Sequence, residues 1–131
     1  MCIRDSSDAV SLHCPLTDQT RHVIDADALA TMKETACLVN TARGACVDEA
    51  ALVQALKAGS IAGAGLDVFE DEPTITGDLM TMENVVLLPH IGSAALPTRE
   101  VMSRLAARNI AKVLSGEPVS YTHLRAHETT E

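Results

Sequence analysis

The chain has 131 residues, room for one modest domain, and its 47% hydrophobic and 21% charged shares are those of an ordinary soluble globular protein. A formal net charge of −8 argues against a nucleic-acid or anionic-membrane surface, which needs basic side chains to neutralise phosphates, and no apolar run reaches the length of a membrane span. Aromatic residues make up only 2%, so the core must come from Val, Leu, Ile, Ala and Met; the four cysteines, Cys2, Cys14, Cys37 and Cys46, form no CxxC pair and read as reduced thiols of a cytoplasmic protein.

The two ends of the chain stand apart. Met1-Cys2-Ile3-Arg4-Asp5 can be written ATG TGT ATA AGA GAC, whose reverse complement, GTC TCT TAT ACA CAT, encodes Val119 to His123. Protein chemistry gives no reason for such an inverted repeat, and Leu124 to Thr129 continues what resembles a translated sequencing adapter. The expectation is that residues 1–6 and 119–131 are foreign, that 7–118 is a gene fragment, and that whatever preceded Ser7 in its parent is missing.

Between the ends, Ala9 to His13 alternates apolar and polar residues and reads as a short strand stopped by Pro15. Asp25 can cap a short helix carrying Ala28, Leu29 and Met32. Ala36 to Asn40 is an apolar run of strand length, suited to a parallel strand covered on both faces. Asp48 is a good N-cap for a helix with Leu52, Ala55 and Leu56 on one face, and Gly59 falls where a left-handed C-terminal residue belongs. Ile61 to Val68 gives a second buried strand, Glu70 to Gly77 an acidic loop, Asp78 to Met82 one helical turn, and Val85 to Leu88 a third buried strand ended by Pro89. A final helix begins near Pro97, presents Val101, Leu105, Asn109 and Val113 on one face with Met102, Ala106 and Ile110 beside them, and ends at Gly116.

Short apolar strands alternating with helices specify an α/β fold, a partial Rossmann-like, doubly wound parallel sheet with right-handed crossovers. Ligands of such sheets bind beyond the carboxyl ends of the strands. Three strand exits, Asn40 to Gly44, Asp67 to Pro73 and Pro89 to Ser93, each deliver an ionisable residue there, among them Arg43, Glu72 and His90. Their convergence on one rim suggests a site where a lone Arg, Glu or His would not.

Three runs, Leu38-Val39-Asn40-Thr41-Ala42-Arg43-Gly44, Gly65-Leu66-Asp67-Val68-Phe69-Glu70-Asp71-Glu72-Pro73 and Leu88-Pro89-His90-Ile91-Gly92-Ser93, together resemble the D-isomer-specific 2-hydroxyacid dehydrogenases. Ser11 to Thr17 and Val47 to Leu52 are similar to that family too, and the likeness extends over nearly all of Ser7 to Pro118, with wording closest to glyoxylate and hydroxypyruvate reductases. The resemblance implies an NAD- or NADP-dependent oxidoreductase acting on a small 2-oxo acid, working as a homodimer. It implies catalytic roles for Arg43, Glu72 and His90. It also implies that Asp67 holds the nicotinamide carboxamide, that the backbone at Thr41, Ala42, Arg43, Ile91 and Gly92, with His90, lines the cofactor, and that His13, Cys14 and Pro15 flank its adenosine side.

The residue types suit that chemistry. A guanidinium grips a planar carboxylate through two parallel hydrogen bonds. An imidazolium donates a proton to the oxygen on which hydride addition builds charge, and a carboxylate fixes the imidazole tautomer. Two features depart from the family pattern. Ala95 stands where a capping Thr is usual, and the GxGxxG turn is absent, since Gly63-Ala64-Gly65 enters a strand rather than leaving one. Other readings stay open: a formate or phosphite dehydrogenase, against which Glu72 in place of Gln argues; a nucleotide-sensing corepressor of the same fold; and a stand-alone binding module.

Overall fold

Four short strands, β1 (Ala9–Leu12), β2 (Cys37–Asn40), β3 (Gly63–Leu66) and β4 (Val85–Leu87), pair in that order into one parallel sheet. This is the α/β parallel sheet expected from the sequence. The computed structural model describes residues 3–119. The expectation of foreign ends falls mostly on Met1, Cys2 and residues 120–131, which lie outside the described residues; Ile3–Ser6 forms one helical turn, α1. The register places Leu12, Asn40, Leu66 and Leu87 in a single row. Since each of these residues ends its strand, all four exits leave the sheet at one rim.

The crossover helices form where capping chemistry allows. Asp25 Oδ1 accepts the Ala28 amide at 2.8 Å and starts α2 (Ala26–Ala30). Asp48 Oδ1 accepts the Ala51 amide at 2.9 Å and starts α3 (Glu49–Ala58). Gly59 closes α3 at φ 68°, a left-handed geometry that strains any L side chain. Ala28 and Leu29 of α2 and Leu52, Val53, Ala55 and Leu56 of α3 pack with Leu12, Leu38, Ala64 and Leu66 of the sheet. Each fully buried leucine among them, such as Leu29, Leu38 or Leu52, stabilises the fold by about 2 kcal/mol. The turn expected near Asp78 is a 3-10 turn, Leu79–Thr81, that buries Leu79. A second 3-10 turn, Gly44–Cys46, follows β2.

Two strands differ from expectation. β2 and β4 were expected to be covered on both faces. Instead Cys37 is exposed, Val39 is half-buried, and Val86 is 64% exposed. Topology explains this. Sequential parallel strands that sit side by side advance in one direction, and right-handed crossovers then place every connection on the same face. Val10, Leu12, Leu38, Asn40, Ala64 and Leu66 turn toward that covered face, whereas Ala9, Ser11, Cys37 and Val86 turn away. β3 is also shorter than the apolar run Ile61 to Val68: both end residues are buried, but the ladder pairs only Gly63 to Leu66.

The chain divides into two compact units, residues 1–92 and 93–131. The second carries α4 (Leu96–Leu114), with Pro97 in its first turn and Ala95 at its N-cap making no side-chain cap bond, as the sequence suggested. Gly116 follows its C-terminus at φ 72°. The apolar stripe with Val101, Leu105 and Val113 is present, yet no residue of α4 is buried, since one helix cannot bury its own stripe. No helix among the described residues is long and apolar enough to cross a membrane.

Candidate active site

The strand exits at the rim form two adjoining groups. The segment after β1 and the segment after β2 face one another across an open groove of 610 Å³, lined by His13, Cys14, Pro15, Leu16, Thr41, Ala42 and Arg43. Of the residues that the resemblance assigns to the cofactor, His13, Cys14, Pro15, Thr41, Ala42 and Arg43 line it, with Leu16 beside them, whereas Asp67, His90, Ile91 and Gly92 do not. The β2 exit is fixed by Asn40, only 1% exposed. Its Oδ1 accepts the Ala42 amide at 3.0 Å and its Nδ2 donates to the Arg43 carbonyl at 2.9 Å. Arg43 is exposed, and its guanidinium donates to the Ala42 carbonyl at 2.7 Å.

The exits of β3 and β4 form the second group. Glu72 Oε2 and His90 Nδ1 lie 2.8 Å apart, and Glu72 Oε1 accepts the Phe69 amide at 3.0 Å. One carboxylate thus ties the imidazole to the start of its own loop. The His90 hydrogen bond, helped by the Phe69 amide and the charges of His90 and Arg43, holds the Glu72 carboxyl below the usual carboxylate range against the opposing effect of burial. The charge of Arg43 makes the smallest of these contributions, and the Arg43 guanidinium itself bonds the Ala42 carbonyl rather than Glu72 or His90. The His90 side chain is 49% exposed. With Nδ1 committed to Glu72, Nε2 is the ring nitrogen open to a ligand.

Asp67, which the resemblance assigns to the nicotinamide carboxamide, is tied to the turn after β4. It is 3% exposed, and its two oxygens accept the amides of Ile91 at 2.7 Å and Gly92 at 2.8 Å. It thereby holds the turn in which His90 adopts φ 54°, an unusual conformation for a residue with a side chain. A Cβ on Gly92 would stand 3.2 Å from Asp67 Oδ2, so glycine keeps this approach open.

Glu49 escaped the sequence reading. An acid in the first turn of a helix ordinarily answers the helix dipole, and nothing local marks it as more. In the fold Glu49 is 7% exposed. Its Oε1 accepts the Glu70 amide and its Oε2 the Thr76 hydroxyl, both at 2.6 Å, across 21 and 27 residues of sequence. It grips both ends of the loop that carries Glu72. His22 Nε2 lies 2.7 Å from Glu70 Oε1 and braces the same loop. Gly44 seats the Arg43 turn against it: a Cβ there would collide with the Phe69 carbonyl and the Glu70 amide. Among the described residues no group of three His, Cys, Asp or Glu side chains is placed to hold a metal ion.

Known proteins share this fold. A family model described as D-isomer specific 2-hydroxyacid dehydrogenase, NAD binding domain, matches residues 3–92. A glyoxylate reductase of Thermofilum pendens is 55% identical over 114 residues, 86% of this chain and 34% of that protein. The NADPH-dependent glyoxylate/hydroxypyruvate reductase of Sinorhizobium meliloti, solved with NADP and malonate, superposes with a TM-score of 0.82 at 43% identity, over 86% of this chain and 35% of its own. The holo form of Rhodotorula graminis D-mandelate dehydrogenase superposes at 0.81 with 40% identity, over 90% of this chain and 34% of its own. The chain spans about a third of the length of the curated relatives it matches. On the strength of the sheet, the rim and the family match over 3–92, this chain belongs to the D-isomer-specific 2-hydroxyacid dehydrogenases and represents part of their NAD-binding domain.

Proposed function

We propose that this chain supplies the catalytic rim of an oxidoreductase that transfers a hydride between NADH or NADPH and a small 2-oxo acid of the glyoxylate or hydroxypyruvate type. The Glu72–His90 hydrogen bond, set in the field of Arg43, carries the reading. Arg43 binds the substrate carboxylate through its guanidinium and so orients the neighbouring carbonyl. His90, protonated, donates from Nε2 to the carbonyl oxygen as negative charge builds there, and neutral His90 accepts that proton in the oxidative direction. Glu72 fixes the imidazole tautomer and holds the ring in place through Nδ1.

The residues present fit a nicotinamide cofactor, which when bound supplies or accepts the hydride. The 610 Å³ groove lies beyond the carboxyl ends of parallel strands, where such sheets bind nucleotides. Pro15, Leu16 and Ala42 offer apolar surface to a base or ribose, and His13, Cys14 and Thr41 complete its walls. Asp67 has lone pairs beyond those taken by Ile91 and Gly92, through which it would hold the nicotinamide carboxamide. The names of the relatives favour glyoxylate as substrate. Free Cys14, Cys37 and Cys46 support a reducing, cytoplasmic setting, and the bare apolar stripe of α4 supports a homodimer of the complete enzyme.

A chimera tests this. Residues 7–118 replace the matching segment of the Thermofilum pendens glyoxylate reductase, and NADH and NADPH oxidation are followed with glyoxylate and hydroxypyruvate. Turnover is expected, with loss of at least a hundredfold in His90→Ala. A folded chimera that binds the cofactor and turns over neither substrate overturns the reading.

A further inference from the structure

One feature of the groove wall has no part in hydride transfer. Cys14, half-buried in the segment after β1, donates from Sγ to Cys46 Sγ at 3.9 Å. Cys46 is fully buried and ends the 3-10 turn that follows Arg43. Two thiols 32 residues apart in sequence thus meet beneath the groove. Cys37, the other described cysteine, is exposed on the uncovered face of β2.

We propose that Cys14 and Cys46 are a peroxide-reactive pair that closes into a reversible disulfide. A disulfide needs the sulfurs to approach by roughly 1.9 Å. The movement falls on Cys14, because residues 13–17 form neither helix nor strand, whereas Cys46 is fixed by backbone bonds at Arg43 and Ile24. Cys14 lines the open groove whereas Cys46 is buried, and that burial, followed by the hydrogen bond with Cys14, pushes the Cys46 thiol up, so Cys14 is the sulfur that peroxide reaches first.

The chemistry balances with hydrogen peroxide as oxidant. The Cys14 thiolate attacks the O–O bond, forming a sulfenic acid and releasing hydroxide, which leaves as water. Cys46 sulfur then attacks Cys14 sulfur, breaks the S–O bond and gives its proton to the departing hydroxide. Two thiols lose two electrons, and one peroxide becomes two waters. The new bond joins the β1 exit to the turn behind Arg43, so oxidation fastens together the two walls of the groove. A thiol reductant reverses it.

Tryptic mapping of the full chain decides the matter, because trypsin places each cysteine in its own peptide: Cys2 in 1–4, Cys14 in 5–21, Cys37 in 34–43 and Cys46 in 44–57. The native protein is treated with a small excess of hydrogen peroxide, and residual thiols are capped with N-ethylmaleimide. The expected product joins 5–21 to 44–57 and disappears with dithiothreitol. Cys14→Ser should abolish the link and leave Cys46 cappable after unfolding. Cys46→Ala should let a Cys14 sulfenic acid accumulate, trapped by dimedone. Predominant links to 34–43 or 1–4 overturn the proposal. So does Cys14 that remains a cappable thiol, or that reaches the sulfinic acid while Cys46 stays reduced.

Discussion

Glu49→Ala should release the loop that carries Glu72 before it disturbs the sheet. The carboxylate accepts two hydrogen bonds, from the Glu70 amide and the Thr76 hydroxyl. A bond to a charged group contributes about 1.5–3 kcal/mol, so the pair sets an upper bound of about 3–6 kcal/mol. Two effects lower it. Glu70 and Thr76 are only half-buried and recover water when the carboxylate is gone. Removing a buried carboxylate also relieves its own desolvation. The net loss should be about 2–3 kcal/mol. Glu49→Gln keeps one acceptor oxygen and an amide that can serve the Thr76 hydroxyl, and should lose about 1 kcal/mol. Urea unfolding gives the two stabilities, and amide hydrogen exchange at Glu70 shows whether the loop opens locally. Less than about 0.5 kcal/mol lost in the alanine variant, or unchanged exchange at Glu70, would refute the brace.

Four other outcomes follow from the rim and the helix. In His90→Ala the Glu72 carboxyl, followed by carbon-13 NMR, should titrate higher, since the hydrogen bond that does most to lower it is removed; an unchanged titration rejects the pairing. Because the folded value is depressed, the stabilisation is complete above the unfolded glutamate value of about 4.3 and is lost as pH falls through the folded value, so wild type should lose more stability than His90→Ala as the solution is acidified below that unfolded value. Gly44→Ala should cost about 3 kcal/mol or more, because its Cβ meets backbone rather than a movable side chain; a thermal midpoint unchanged from wild type contradicts the close approach. Asp67→Asn turns one of two acceptors into a donor facing an amide, and should cost about 2–3 kcal/mol with faster exchange at Ile91 and Gly92; unaltered exchange there rejects the latch. Ala95→Thr should restore a cap to α4 and add about 1 kcal/mol of helix stability, read as helicity of a 93–118 peptide on warming.

Periodicity and caps made the α/β alternation legible, since they depend on residues a few positions apart: Asp25, Asp48 and Gly59 each act within one turn of their helix. What pattern could not supply was the neighbourhood of each face. Val86 is as apolar as Leu38, and only strand order decides that one is exposed and the other buried. The same limit governed the site. Arg43, Glu72 and His90 stand out by type and by their place at strand exits, whereas Glu49 looks like any acid opening a helix until the fold brings Glu70 and Thr76 to it.

The described residues bury three polar side chains, Asn40, Glu49 and Asp67. A buried polar group is tolerated when its hydrogen bonds are met, and each of these is met by the backbone of a different rim loop. Asn40 holds the Arg43 turn, Glu49 the Glu72 loop and Asp67 the His90 turn. The working side chains lie on exposed loops that would wander without these bonds, and a catalytic hydrogen bond such as Glu72 to His90 tolerates little displacement. The apolar residues at the sheet's carboxyl edge, Leu12, Leu66 and Leu87, cannot by packing alone fix a loop's direction. Directional bonds to buried acceptors can. The polar residues of the core are thus a consequence of the chemistry at the rim, one brace for each loop that has to keep its place.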